Sequence, residues 1–125
     1  MALSDSLGAV RWLELPQGDI GYRERGDGPP VLFVHGLLVN ADLWRGVVPL
    51  VADAGYRCLA PDWPLGSHSC PMNRQADLSP PGLAHLLPDA HLVTVADSGT
   101  FIPEDQPTAL AGLIVEFAGS VAAAR

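Results

Sequence analysis

Two apolar runs of the sequence are each followed by polar residues that can do chemistry. His35 comes directly after the run 31–34, and Asp62 comes shortly after the run 56–60. An imidazole at such a position can act as a general base, and a carboxylate can act as a base or as a nucleophile. We therefore take His35 and Asp62 as catalytic candidates.

Ser67 and His68 are two further catalytic candidates, because a hydroxyl group activated by an imidazole is a common nucleophile. Their side chains diverge, so adjacency in the sequence does not by itself make a catalytic pair. A working dyad needs Ser67 or Ser69 to meet a distant histidine, for which His91 and His35 are the alternatives.

A third group of residues is predicted to line a pocket. Asp97, Ser98 and Thr100 stand at the end of a predicted strand, beside the expected cleft. The alternative is an Asx or Ser turn in which these side chains satisfy local backbone groups. Trp44 and Trp63 line the same pocket or, as buried tryptophans commonly do, pack in the core.

The elements that position these residues are predicted from the apolar periodicity. The run 31–34 lacks polar alternation, which is typical of a strand covered on both faces, and a helical pattern over 42–53 separates it from the run 56–60. This is a βαβ unit, so its strands are predicted to be parallel with a right-handed crossover. Ligands bind at the carboxyl ends of such strands, which places His35 and Asp62 at the functional edge.

Turn residues and periodicity predict the remaining elements. The runs 10–15 and 19–24 flank the turn 16–18 and predict an antiparallel hairpin. Residues 79–87 predict a short helix, and residues 91–96 predict another strand.

The last helix is predicted to begin near Pro107 and to present an apolar stripe to the core. The stripe follows helical spacing and comprises Leu110, Leu113, Ile114, Phe117 and Val121. In the earlier helical pattern, Pro49 is predicted to kink or shorten the helix.

Length and charge limit the function classes. A chain of 125 residues predicts a single domain. Fourteen acidic residues outnumber seven basic ones, all of them arginine, and the net charge of −7 argues against nucleic acid and anionic membranes as partners. No stretch approaches the ~20 apolar residues of a membrane span, and the first ten residues lack a signal-peptide pattern, so we expect a cytoplasmic protein.

Cysteine usage predicts no disulfide and no metal site. Cys58 lies in a predicted strand, Cys70 lies in a proline-rich loop, and the sequence has no CxxC pair and no histidine at metal-ligand spacing. A reduced, structural Cys58 is the expected state. The sequence also lacks the glycine-rich and lysine motifs of nucleotide sites, and we expect no cofactor.

The order of these motifs resembles that of the α/β-hydrolase fold family. The apolar strand, His35-Gly36, the amphipathic helix and the segment Gly-Tyr-Arg-Cys-Leu-Ala-Pro-Asp-Trp-Pro-Leu-Gly-Ser-His are similar to its amino-terminal third, over residues 18–84. The segment Ala-Asp-Ser-Gly-Thr-Phe-Ile-Pro-Glu-Asp-Gln-Pro resembles the loop before the last helix of the family, within residues 89–117. Both ends are similar to the branch that contains haloalkane dehalogenases and epoxide hydrolases.

The resemblance implies roles for the candidate residues. It implies that the backbone N–H of Leu37, after His35-Gly36, helps to hold an oxyanion, and that Asp62 is structural and orients its loop. The alternative for His35-Gly36 is a tight strand exit that requires glycine. Dehalogenases often place asparagine after His-Gly to bind halide, and Leu37 stands at that position here.

The sequence departs from the family pattern at its reactive centre. It contains no Gly-x-Ser-x-Gly elbow and no Gly-x-Asp equivalent, and Thr100 stands where the family has its catalytic histidine. A threonine cannot replace an imidazole as a general base. Between residues 84 and 88 the resemblance passes from the early part of the family to its end, so the nucleophile strand, the cap and the acid strand are all missing from the pattern.

We therefore predict a reduced α/β-hydrolase-like domain over residues 1–125, with an antiparallel hairpin, about three mostly parallel strands and about three helices. Two functions stay open. One is a cofactor-independent hydrolase of ester, epoxide or halide substrates that uses an unfamiliar nucleophile or one borrowed from a partner chain. The other is a non-catalytic remnant or minimised scaffold that binds a small apolar molecule.

The loss of the nucleophile strand also affects the edge of the sheet. In the family that strand lies beside the strand that ends at His35. Either the strand 91–96 closes the gap or the edge stays open, and an open apolar edge predicts homodimer formation or poor solubility.

Overall fold

The computed structural model describes residues 5–36, 39–63, 93 and 95–123. A four-stranded mixed sheet comprises β1 (Ala9–Leu15), β2 (Gly18–Arg25), β3 (Pro30–Leu32) and β4 (Arg57–Pro61). The helices are α1 (Val48–Asp53), α2 (Ile102–Asp105) and α3 (Pro107–Ala123), and short 3-10 turns cover Asp5–Leu7 and Ala41–Trp44. The predicted fold class is confirmed: a hairpin and a parallel strand pair are flanked by three helices.

The predicted antiparallel hairpin is confirmed in its position. β1 and β2 pair antiparallel from Ala9 opposite Glu24 to Leu15 opposite Gly18. Gly18 closes the turn with a φ of 139°, a conformation that glycine adopts more readily than other residues. The hairpin supplies one edge of the sheet, because β1 has β2 as its strand partner.

The predicted βαβ unit is also confirmed. β3 and β4 pair in parallel, β4 pairs antiparallel with β2, and the strand order is β1-β2-β4-β3. The connection between β3 and β4 contains the turn Ala41–Trp44 and α1 in place of one helix over 42–53. Pro49 lies in the first turn of α1, where its missing N–H has no helical partner to lose, so it shortens the helical segment without kinking it.

The core lies on one face of the sheet. Side chains from the strands and α1, together with Ala111 of α3, form the buried cluster Leu7, Phe33, Ala41, Val47, Val48, Val51, Cys58, Ala60 and Ala111. The prediction that the run 31–34 is covered on both faces is wrong, because Leu32 and Val34 are each 55% exposed. The helices that the structure describes cover only the face that carries Phe33.

The last helix begins at Pro107, as predicted, but its apolar stripe is only partly used. Leu110 and Ile114 pack against the buried cluster. Phe117 and Val121 are 49% and 40% exposed, so the prediction that they face the core is wrong. The helix extends beyond the small core that its first turns reach.

Two predicted elements lie partly or wholly outside the described residues. Of the predicted strand 91–96, the residues Val93, Val95 and Ala96 are described, and they lie outside any strand. The predicted helix 79–87 falls outside the described residues, as do Ser67, His68, Ser69, Cys70 and His91. Within the described ranges, no helix has the length and apolar character needed to cross a membrane.

Candidate functional site

The parallel pairing of β3 and β4 brings their carboxyl ends to the same edge of the sheet. His35 lies there and is 2% exposed. Its Nε2 lies 2.7 Å from the backbone nitrogen of Trp63, and its Nδ1 lies 2.9 Å from the carbonyl oxygen of Gly36. The two apolar runs therefore meet through this imidazole, as the βαβ prediction required.

These two contacts assign the protonation state of His35. A backbone N–H can only donate, so Nε2 must accept from Trp63 and carries no proton. Nδ1 then carries the proton and donates it to the Gly36 carbonyl oxygen. This neutral tautomer is inferred from hydrogen-bond geometry. Both ring nitrogens are engaged, so His35 links two loops in this arrangement and has no free lone pair for general base catalysis.

Asp62 forms a second link at the same edge. Its Oδ1 accepts a hydrogen bond of 2.8 Å from the backbone N–H of Ala41, which is buried, and its own backbone N–H donates to the Gly21 carbonyl oxygen at 2.9 Å. The carboxylate thus holds the start of the Ala41–Trp44 turn against the end of β4. This is the arrangement that a structural, loop-orienting Asp62 requires.

Trp44 and Trp63 pack around the same loops. The Trp63 indole N–H donates to the Phe33 carbonyl oxygen at 3.4 Å. The Trp44 ring packs against the Phe33 ring with centroids 5.2 Å apart and an angle of 55° between the planes. The buried Trp44 Nε1 has no hydrogen-bond acceptor in the part of the chain that the structure describes. Both indoles therefore support the strand ends, in agreement with the packing alternative.

Gly36 is exposed, and the tight strand exit expected at this position is not what the structure shows. Its φ lies outside the left-handed region, and a Cβ added there would meet nothing within 4 Å. Glycine is therefore not required here by crowding among the described neighbours. Leu37, whose N–H the family resemblance implies as an oxyanion donor, lies outside the described residues.

Asp97 and Ser98 form a local turn. Asp97 has a φ of 54°, and its carbonyl oxygen accepts a hydrogen bond of 3.0 Å from the Gln106 side chain. The Ser98 hydroxyl donates to the Val95 carbonyl oxygen at 2.8 Å. These contacts match the alternative of a turn that satisfies local backbone groups.

The same loop is tied down further along. The Gly99 N–H donates to Asp105 Oδ2 at 2.7 Å, and Thr100 is exposed. Within the described ranges, no hydrogen bond joins this loop to His35 or Asp62. The structure therefore brings His35 and Asp62 together and leaves Thr100 in a separate loop.

Three charged contacts were not anticipated from the sequence. Glu24 pairs with Arg11 and with Arg57, each at 3.0 Å, across three neighbouring strands. The Arg45 guanidinium pairs with Glu104 of α2, with Nη2 and Oε2 2.7 Å apart. No local spacing signals these pairs, because each joins segments that only the sheet register or helix packing brings together.

Cys58 has the environment of a structural thiol. It is 1% exposed, and burial raises its pKa to about 11. A thiol with this pKa is a poor nucleophile at neutral pH, because the thiolate is the reactive form. Among the described residues, no group of three His, Cys, Asp or Glu side chains could hold a metal ion.

Comparisons with known proteins agree with this geometry. Residues 29–77 match the model of the alpha/beta hydrolase fold family. Over 54 residues the chain is 43% identical to non-heme chloroperoxidase CPO-A1 of Kitasatospora aureofaciens. This match covers 43% of this chain and 20% of that protein. It is 39% identical over 61 residues to an epoxide hydrolase of Caballeronia sordidicola, covering 47% and 18%. It is 38% identical over 53 residues to haloalkane dehalogenase 2 of Mycobacterium tuberculosis, covering 42% and 18%.

The solved structures support the fold. A Pseudomonas aeruginosa mutant protein described as an epoxide hydrolase superposes with a TM-score of 0.53 at 23% identity, covering 62% of this chain and 25% of that one. The chain spans about a fifth of the length of the curated relatives it matches. The matched segment contains β3, β4 and the two links at their ends, and over that segment this chain is similar to the alpha/beta hydrolase fold family.

Proposed function

We propose that this chain provides the β3–β4 side of a hydrolase site that acts on ester, epoxide or halide substrates without a cofactor. The observation that carries the proposal is the pair of links at the strand ends, His35 to Trp63 and Asp62 to Ala41. They join the ends of the two strands, and Gly36 beside them is exposed, with no described atom within 4 Å of where its Cβ would lie. The alpha/beta hydrolase family model matches residues 29–77, which contain both links, and relatives named haloalkane dehalogenase and epoxide hydrolase match part of the chain.

In this proposal His35 and Asp62 are positioning residues. They hold the loop that follows Gly36, whose backbone N–H groups, that of Leu37 first, would stabilise a developing oxyanion. Such donors act on the tetrahedral intermediate of an ester or on the alkoxide released when an epoxide opens.

The nucleophile must come from elsewhere. The Asp62 carboxylate is engaged with Ala41, and the Cys58 thiol is buried and protonated at neutral pH. Ser67 or Ser69 stays a predicted nucleophile that would need a distant histidine as its base, and of the two alternatives His35 is already engaged, which leaves His91. The other source of the nucleophile is a partner chain.

A second candidate function follows from the state of His35. Since both of its ring nitrogens are engaged, the described part of the site contains no free imidazole. A chain of this kind could serve as a non-catalytic scaffold that binds a small apolar molecule beside Gly36.

Hydrolysis assays separate the two functions. The purified chain is incubated with a short p-nitrophenyl ester, an epoxide and a haloalkane, beside the variants Ser67→Ala and His35→Gln. The proposal predicts turnover of at least one substrate that Ser67→Ala abolishes. His35→Gln can still accept the Trp63 N–H, so we expect it to retain activity with an unchanged pH profile. Loss of a titrating limb in that variant would instead make His35 the base.

Two outcomes contradict the hydrolase proposal. If no substrate is turned over above the rate in buffer, the scaffold function is favoured, and binding of an apolar fluorescent probe becomes its test. If every variant retains the same activity, neither Ser67 nor His35 has a role in it, and the prediction that Ser67 is the nucleophile is wrong.

A further inference from the structure

Among the residues that the structure describes, no strand pairs with β3 on the side away from β4, and the proposed function does not use this edge. The Phe33 N–H donates to the Leu59 carbonyl oxygen at 2.9 Å, and the Arg57 N–H donates to the Pro29 carbonyl oxygen at 3.0 Å. β3 ends at Leu32, but the Phe33 N–H still bonds to β4. If the alternation of backbone groups continues to Val34, the N–H and C=O groups of Leu32 and Val34 both point away from β4. In the described part of the sheet, β3 is the last strand on this side.

The side chains along this edge are apolar and exposed. Leu32 and Val34 are each 55% exposed and lie on the sheet face opposite Phe33. Residues 29–36 contain no acidic residue and no arginine, and the one titratable side chain, His35, is buried. Of the usual means of blocking an open edge, β3 has a short length and a proline, Pro30, but no charged side chain.

The opposite edge differs in this respect. β1 is exposed along its whole length but carries Arg11 and Glu14. Pairing two copies of β1 around a two-fold axis centred on Trp12 would put Arg11 opposite Leu13 and Val10 opposite Glu14. In this register each charged group would face an apolar one, whereas no exposed charged side chain lies along β3.

The β3 edge is complementary to a second copy of itself. A two-fold axis perpendicular to the sheet and centred on Phe33 places Leu32 opposite Val34 of the second copy. In an antiparallel ladder this makes them hydrogen-bonded pairs, which exchange both N–H···O bonds. Their side chains fall on the same face and cover each other. The register with Leu32 opposite itself is poorer, because Val34 would then face Pro30, which has no N–H.

We propose that two copies of this chain pair antiparallel through β3, and that their four-stranded sheets join into one continuous sheet. The interface is isologous, so it closes at a dimer and does not propagate into a filament. It buries the unpaired backbone groups of Leu32 and Val34 and the apolar side chains that the fold leaves exposed. It also places the His35 end of each copy beside the Pro30 end of the other.

Light scattering coupled to size-exclusion chromatography tests the dimer. We expect the wild-type chain to elute with twice the 13.2 kDa mass of one chain. Val34→Lys places two like charges at the interface and should give a monomer at the same concentration. Val10→Lys is the matched control, because Val10 is 56% exposed on the other edge, and it should leave the dimer intact.

Cysteine cross-linking tests the register. In a background with Cys70→Ser, Leu32→Cys and Val34→Cys are prepared as separate proteins. The proposed register places these two positions about 5.5 Å apart between Cα atoms, within the range of a disulfide. Under mild oxidation, each variant alone should stay uncross-linked, and the mixture of the two should give a covalent dimer.

The proposal has clear points of failure. A wild-type chain that stays monomeric at high concentration would overturn it, as would a dimer that Val10→Lys disrupts and Val34→Lys spares. Cross-linking of either cysteine variant with itself would show a different register. Circular dichroism on the two lysine variants checks that each is folded, and the cross-linking result stands independently of them.

Discussion

The hydrogen bond between Asp62 and Ala41 gives the most direct prediction. In Asp62→Ala the Ala41 N–H, which is 2.8 Å from Oδ1 in the structure, loses its acceptor at a site where Ala41 is only 2% exposed. Leaving a buried donor unsatisfied costs about 1–3 kcal/mol, and more when the lost acceptor is charged. We therefore expect the free energy of unfolding to fall by about 2 kcal/mol, a large part of the ~5–15 kcal/mol of a typical domain.

Asp62→Asn separates the hydrogen bond from the charge. The asparagine keeps a carbonyl oxygen near the position of Oδ1, so the Ala41 N–H keeps an acceptor. The loss should be below about 1 kcal/mol, because only the charge assistance is removed. Asp19→Ala, an exposed aspartate on β2, is the control and should change stability by less than about 0.5 kcal/mol.

Urea unfolding followed by tryptophan fluorescence measures these differences. The protein concentration is kept constant, because association shifts apparent stability. The slope of free energy against urea should be the same in all variants, so that midpoint shifts report stability. Equal destabilisation by alanine and asparagine would refute the reasoning, because it would make the charge, and not the hydrogen bond to Ala41, the source of stability.

Three further predictions follow from the sheet and its turns. The hydrogen bond from Arg57 is the main cause that holds the pKa of Glu24 below its usual 4.5. The ionised Glu24 carboxylate therefore stabilises the fold above pH 4.5, and this stabilisation is lost as the pH falls through the lowered pKa. In Glu24→Gln, the free energy of unfolding should fall less steeply on the acid side. Because burial raises the pKa of Cys58 to about 11, its thiol should react with a maleimide at pH 8 only after urea unfolding, as measured by mass spectrometry. Gly26→Ala should destabilise the fold strongly, because Gly26 has a φ of 84° and a Cβ there would clash with the Tyr56 carbonyl oxygen. Gly36→Ala should lower the free energy of unfolding by less than about 1 kcal/mol in the same urea assay.

Each of these has a result that would count against it. An identical pH profile for wild type and Glu24→Gln would mean that the ion pairs of Glu24 do not stabilise the fold. Rapid labelling of Cys58 in the native protein, with Cys70 replaced by serine, would show that the core opens easily. Equal stability of the two glycine variants would mean that the turn at Gly26 adjusts its backbone at little cost.

Patterns of neighbouring residues correctly predicted the hairpin and the parallel strand pair. The turn 16–18 between two alternating runs predicted the hairpin, and the apolar runs around a helical pattern predicted the parallel pair. The same patterns failed on burial. The run 31–34 and the stripe ending at Val121 are both apolar, but periodicity describes a face of an element and not what packs against it.

At the candidate site, too, local patterns predicted where residues stand in the chain, and packing decided what they contact. The sequence alone determined that His35 and Asp62 follow neighbouring strands, and the order of motifs determined the family resemblance. Only the tertiary structure decided their state, because the partner of His35 lies 28 residues away and that of Asp62 lies 21 residues away. Those contacts depend on the parallel register of β3 and β4, which no local spacing specifies. That register turns a potential general base into a neutral link between two loops.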